Sequence, residues 1–147
     1  VYRICDSKYI EWAKPIYRQK VAITMEPNKN QRREETIDFA IAVSDACDNI
    51  RGCSVFVNQL LRCSSSIGAN VHEAKYAQSR ADFINKLEIA LKESSETDYW
   101  LELLYRKKKL SNDCFWPLKN RCGTIRRKLI ASVTTAKANG DISREKA

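Results

Sequence analysis

Histidine is nearly missing from this 147-residue chain: His72 is the only one. No Ser/His/Asp or Cys/His catalytic set can be assembled around one histidine, and a zinc site has little to recruit. His72 and Glu73 open the run HEAKY, which lacks the second histidine of HExxH. Glycine and proline are scarce, at four and three residues, as long helices with short connections require. No apolar run approaches the roughly 18 residues needed to span a bilayer. No signal peptide leads the chain, which reads as soluble and cytoplasmic. Six cysteines are present, but no two have CxxC spacing. Cys47, Cys114 and Cys122 fall on apolar stripes, where cysteine behaves as a small hydrophobe. A disulfide framework, a metal and a cofactor are all unexpected, and the chain reads as a non-enzyme.

Positive charge is what the chain has in excess. Lysine and arginine number 26 against 18 acids, for a formal net charge of +8 and an isoelectric point near 9.3. Such an excess favours polyanionic partners, nucleic acid first, through counterion release. The competing account is that helical proteins carry lysine on solvated faces.

The length suits one domain. Residues 1–33 differ from the rest: they are basic and aromatic (Tyr2, Tyr9, Trp12, Tyr17, with Lys8, Lys14, Arg18, Lys20), and Pro15 interrupts any helix. Met25 and the polar residues after it read like a start, so residues 1–24 are either an appendage or a true arm. Residues 34–140 read as a four-helix domain and 141–147 as a flexible tail. The first helix is expected from about Glu35 to Ile50, with Phe39, Val43, Ala46, Cys47 and Ile50 on one face. Arg51-Gly52 ends it, the glycine suiting a left-handed C-cap. Ser54 is expected to cap a second helix reaching about Tyr76, whose dry stripe is Val57, Leu60, Leu61, Ser64, Ile67, Gly68, Val71 and Ala74. The small residues on that stripe imply close approach of a neighbouring helix.

Ser79 and Asp82 have the spacing of a capping box and start a third helix that runs to about Lys109. Its core stripe is Phe83, Ile84, Leu87, Ala90, Leu91, Ser94, Thr97 and Leu101. A minor stripe of Ile89, Trp100 and Leu103 lies well round the same helix, so this helix has two partners to cover. Leu110 to Asp113 form a turn, and Pro117 blurs the start of helix four. That helix carries Leu118, Cys122, Ile125, Leu129, Val133 and Ala136 on one stripe, with Lys119, Arg126 and Lys137 along a flank, and Asn139-Gly140 is expected to stop it. Four helices with short turns imply an all-α, antiparallel up-down four-helix bundle.

The segment from Ser66 to Leu104 carries a denser pattern. Gln59 and Arg62 precede Ser66, Ile67, Ala69, Asn70, Glu73 and Ala74. Asp82, Phe83, Lys86, Leu87, Ile89, Ala90, Leu91, Lys92 and Glu93 follow, then Glu96, Thr97, Tyr99, Trp100 and Leu101 to Leu104. This pattern resembles the bacterial four-helix-bundle family related to proteins encoded in intervening sequences of 23S rRNA genes, the S23 family. The match is specific across helices two and three, loose through one and four, and does not cover 1–33. The resemblance implies an up-down bundle assembled as a homopentameric ring. It implies no established activity. One relative, the accessory variability protein of diversity-generating retroelements, is similarly basic, nucleic-acid-binding and a partner of a reverse transcriptase, so the resemblance also implies RNA or DNA, and by analogy a reverse transcriptase, as partners. The chain departs from the family pattern at Tyr105–Lys109, where a run of cations stands, and at Cys63.

Two sets of candidate residues follow. Gln59, Arg62, Ser66, Asn70 and Glu73 face away from the core stripe and either line a surface that contacts a ligand or nucleic acid or hydrogen-bond between subunits. The second is favoured, so with Ile89, Trp100 and Leu103 they are assigned to an oligomer interface, Arg62 and Glu73 forming ion pairs between subunits. Trp100 is an interface or core anchor before it is a base-stacking platform. Glu93 and Glu96, one helical turn apart, read as a solvated or interface face. Arg106, Lys107, Lys108 and Lys109, with Lys119, Arg126 and Lys137, are the nucleic-acid candidates, although cations closing a helix also complement its dipole. The leading reading is a non-enzymatic homo-oligomeric bundle that binds nucleic acid as an accessory factor. The rival is a protein–protein interaction scaffold whose basic surface only solubilises it.

Overall fold

The computed structural model describes residues 29–145, with side chains over 31–138. The N-terminal arm over 1–28 and the reading of Met25 as a start lie outside the described residues. Four α-helices and no strand form among the described residues: α1 (Lys29–Cys47), α2 (Ser54–Ala74), α3 (Arg80–Arg106) and α4 (Asn112–Glu145). Each helix packs on two others, α2 on α3 most extensively, then α3 on α4 and α1 on α2, with α1 on α4 the sparsest seam.

The apolar stripes meet in a single core. Phe39 and Val43 of α1, Leu60 and Ile67 of α2, Ala90, Leu101 and Leu104 of α3, and Phe115 and Cys122 of α4 are almost wholly buried. Each Phe, Leu, Ile or Val among them contributes about 1.5–3 kcal/mol through the apolar area taken from water. Polar residues in that core are answered locally. Ser94 Oγ donates to the Leu91 carbonyl at 2.7 Å, and Thr97 Oγ1 reaches both the Glu93 carbonyl at 2.8 Å and Cys63 Sγ at 3.2 Å. Cys63 thus lies inside the core between α2 and α3, although the stripe expected for α2 omits it. Burial pushes the Cys47 thiol up to about 11 and the Cys122 thiol to about 12, the latter helped by Asp98. Both are inert as nucleophiles near neutral pH.

The close approach expected from small residues occurs at Gly68. A Cβ there would stand 3.1 Å from the Oγ1 of buried Thr36, so α1 lies hard against α2 at that point. The α1–α4 seam is held by side chains instead: Arg32 Nη1 donates to Ser132 Oγ at 2.8 Å, and Lys128 pairs with Glu35.

The helix ends agree with the sequence in part. Ser79 Oγ accepts the Asp82 N–H at 3.1 Å while Asp82 Oδ2 accepts the Gln78 N–H at 3.2 Å, a reciprocal start for α3. Gly52 is left-handed at φ 72°. Ser54, however, is the first helical residue and not the cap; Cys53 takes that position at φ 61° with no side-chain cap bond. Ser111 caps α4, its Oγ accepting the Cys114 N–H at 3.3 Å. Two boundaries move outward. The start of α1 at Lys29 precedes the expected Glu35 because Lys, Asn, Gln and Arg there contain no breaker. Helix α4 continues through Asn139-Gly140 to Glu145, since one glycine costs a helix only about 1 kcal/mol and no proline follows.

Candidate functional site

The residues assigned to an interface gather along one groove between α2 and α3. Arg62 is the hub. Its Nη2 donates to Glu96 Oε1 at 2.6 Å, its Nη1 lies 3.5 Å from Glu93 Oε2, and its Nε donates to Gln59 Oε1 at 3.2 Å. Trp100 Nε1 donates to the same Glu96 oxygen at 3.1 Å. Hydrogen bonds from Arg62 and then Trp100 hold the Glu96 carboxyl below the usual carboxylate range, and the bond to Glu96 raises the Arg62 guanidinium in turn. About three turns along, Glu73 Oε2 pairs with Lys86 Nζ at 2.5 Å. Asn70 Nδ2 donates to the Ser66 carbonyl at 2.9 Å and to its Oγ at 3.3 Å.

Arg62 and Glu73 therefore make their ion pairs within one chain, where pairs between subunits were expected. The reason is angular. Residues just beside the core stripe of α2 carry side chains long enough to reach the flank of α3. Apolar surface remains beside the network. Phe56 stacks on Trp100 with centroids 5.7 Å apart, Tyr99 meets Trp100 edge-on at 5.0 Å, and Ile89 and Leu103 are half-buried. Tyr99 is 59% exposed and Val55 67%. Glu93 Oε2 is buried and accepts no hydrogen bond, with the Arg62 guanidinium its charge partner.

The cations assigned to nucleic acid divide into two groups. On α4, Lys119 Nζ lies 3.1 Å from both Asp98 Oδ1 and Glu102 Oε2, Arg126 Nη1 is 3.9 Å from Asp98 Oδ2, and Lys137 Nζ is 2.7 Å from Glu88 Oε1. Desolvation pulls the Lys119 ammonium down, but its bonds to Glu102 and Asp98 outweigh that and leave it above its usual value. The flank of α4 is thus answered, cation by cation, by acids of α3. Arg106 belongs to this group through Glu102 Oε1 at 2.8 Å.

Lys107, Lys108 and Lys109 differ. All three are exposed, and none has a carboxylate partner among the described residues. Their placement follows from how α3 ends. The Lys109 N–H bonds to the Leu104 carbonyl and the Lys108 N–H to the Tyr105 carbonyl, with Lys108 left-handed at φ 57°, a Schellman arrangement built without glycine. Lys109 Nζ then donates to the Arg51 carbonyl at 2.9 Å, which brings the α1–α2 turn and its Arg51 alongside. Lys107 Nζ sits 5.9 Å over the Phe56 ring. Tyr105 stacks on Phe115 at 3.9 Å and donates to Asn112 Oδ1 at 2.7 Å, beside half-exposed Trp116. Arg51 and Trp116 are missed by sequence reasoning. Arg51 looks like part of a helix stop, and the tie to Lys109 spans 58 positions.

Among the described residues no group of three His, Cys, Asp or Glu side chains is placed to hold a metal, and no helix is long and apolar enough to cross a membrane. Residues 28–131 match the family described as 23S rRNA-intervening sequence protein. A crystal structure from Bacteroides thetaiotaomicron, described as a protein with unknown function from the S23 ribosomal protein family, is 40% identical with a TM-score of 0.68, covering 72% of this chain and 97% of its own. No curated protein matches. The chain belongs to the 23S rRNA-intervening sequence protein family.

Proposed function

We propose that this member of the 23S rRNA-intervening sequence protein family is a non-enzymatic homo-oligomer that binds RNA or DNA as an accessory factor. The observation that carries the reading is the turn Lys107–Lys109 with Arg51 beside it: four cations at one end of the bundle with no carboxylate answering them among the described residues. Unneutralised lysines released to phosphate supply affinity through counterion release, which the paired cations of α4 supply far less. Bringing the two turns together supports an antiparallel order of helices. The α2–α3 groove, with Tyr99, Trp100, Leu103 and Val55 partly uncovered around a polar network, has the apolar centre and polar surround of a subunit interface, and a pentameric ring is the assembly expected there.

Light scattering on the eluting protein, alone and with mixed-sequence RNA or DNA at low and moderate salt, tests both halves. A mass near five chains that rises with nucleic acid and reverts with salt supports the reading. A pentamer indifferent to nucleic acid leaves the interface and moves the function to a protein-interaction scaffold. Tyr99→Glu, at an exposed position outside the core, is expected to lower the mass while leaving the helical signal unchanged.

A further inference from the structure

The other end of the molecule carries a feature that neither the interface nor the basic turn uses. The start of α1, the end of α2, the start of α3 and the C-terminal half of α4 enclose an open cleft of about 960 Å³, within the size range of small-molecule sites. Its floor is apolar, formed by Val71, Phe83, Leu87, Ile125 and Leu129. Among the described residues its rim holds Arg32, Arg80 and Lys128 against one acid, Glu35, which is already paired with Lys128.

Arg32 is underused. Among the described residues only its Nη1 is bonded, to Ser132 Oγ at 2.8 Å, and its Nε–H is buried with no acceptor. A guanidinium offers five N–H donors, so most remain for an incoming acceptor. Ser79, Arg80 and Phe83 of the α3 start also line the cleft, adding the positive end of that helix, while Asp82 of the same turn does not line it.

We propose that this cleft binds an amphipathic organic anion, an alkyl chain lying on the apolar floor with its carboxylate held by Arg32 and Arg80. Charge complementarity selects this occupant over the chain's own first 28 residues, which carry five cations against three acids. It also separates the site from the proposed subunit interface, which lies on the outer groove of α2 and α3.

Dodecanoate, kept below its micellar range, is titrated calorimetrically into the full chain, with dodecanol as the neutral match. Saturable binding at one site per chain, about tenfold tighter for dodecanoate, is expected from charge-assisted hydrogen bonds to the head group. Arg32→Met should abolish the preference for the acid, and Arg80→Gln, at an exposed position, should reduce it if the first variant fails to fold. Ala131→Trp, which adds bulk from an exposed position on the cleft wall, should remove binding of both ligands. No saturable binding by the full chain, equal affinity for acid and alcohol, or binding that survives Ala131→Trp overturns the proposal.

Discussion

Two cationic regions adjoin along the chain and behave differently. Along α4, each of Lys119, Arg126 and Lys137 faces an acid of α3, so the charge is spent on the seam between two helices. In the turn before α4, Lys107, Lys108 and Lys109 face outward and no carboxylate meets them among the described residues. The formal charge of +8 counts both alike. The contrast shows that net charge does not locate a binding surface; the register of neighbouring helices does. A cation at the flank of a helix is a lock or a contact according to what stands opposite.

That contrast can be broken most directly by moving charge out of each region in turn. Replacing Lys107, Lys108 and Lys109 together by Gln should weaken RNA or DNA binding roughly tenfold or more and lower the salt slope by about three, one unit per lost phosphate contact. The matching α4 triple of Lys119→Gln, Arg126→Gln and Lys137→Gln should leave affinity within a few-fold. Equal losses from both triples, measured by fluorescence anisotropy across a salt series, would show that the two regions are one surface.

Lys108→Gly sharpens the comparison from the side of stability. A left-handed lysine costs about 1–2 kcal/mol that glycine does not, offset in part by the freedom glycine adds to the unfolded chain. A gain of about 1 kcal/mol in urea unfolding is expected, together with weaker nucleic-acid binding. Stability and binding then move in opposite directions at one residue.

A smaller effect is expected from Lys119→Met, which removes the cation shared by Asp98 and Glu102 but leaves Arg126 to the first and Arg106 to the second. Part-exposed pairs are worth little, so a loss of about 0.5 kcal/mol is expected, with binding unchanged. The smallest effect is on pH. Bonds to Lys137 for Glu88, to Arg62 for Glu96 and to Arg106 for Glu102 lower these carboxyls below their ordinary value of 4.5. A depressed folded-state value means the stabilisation is complete above 4.5 and is lost as pH falls through the folded values. The melting temperature should therefore fall below about pH 4.5, and less steeply in a Glu88→Gln, Glu96→Gln, Glu102→Gln chain.

What the sequence made legible was local. Periodicity marked the buried stripes, and Ser79 with Asp82 marked the start of α3 because a cap spans three residues. Gly52 was legible for the same reason. The left-handed Cys53 and Lys108 were not, since neither residue type favours that conformation and only the packing of the adjoining helices imposes it. Pairing across helices was the other blind spot. Arg62 and Glu96 stand 34 positions apart, so a polar stripe turned from the core could not be assigned to its own chain or to another. The cleft was out of reach altogether, because its walls come from all four helices.

The side-chain ties between α1 and α4 join residues 93 and 100 positions apart, while those between α2 and α3 join residues 13 and 34 apart. Closing a longer loop costs more entropy, about 0.6 kcal/mol for each doubling. With the sparsest seam at its far side, α1 should dock last as the chain folds and detach first in native-state excursions. Its amides should exchange hydrogen ahead of those of α2 and α3. Arg32, Glu35 and Thr36 wall the cleft, so the motion that releases α1 widens the cavity, and an occupant held there would slow exchange along the whole helix.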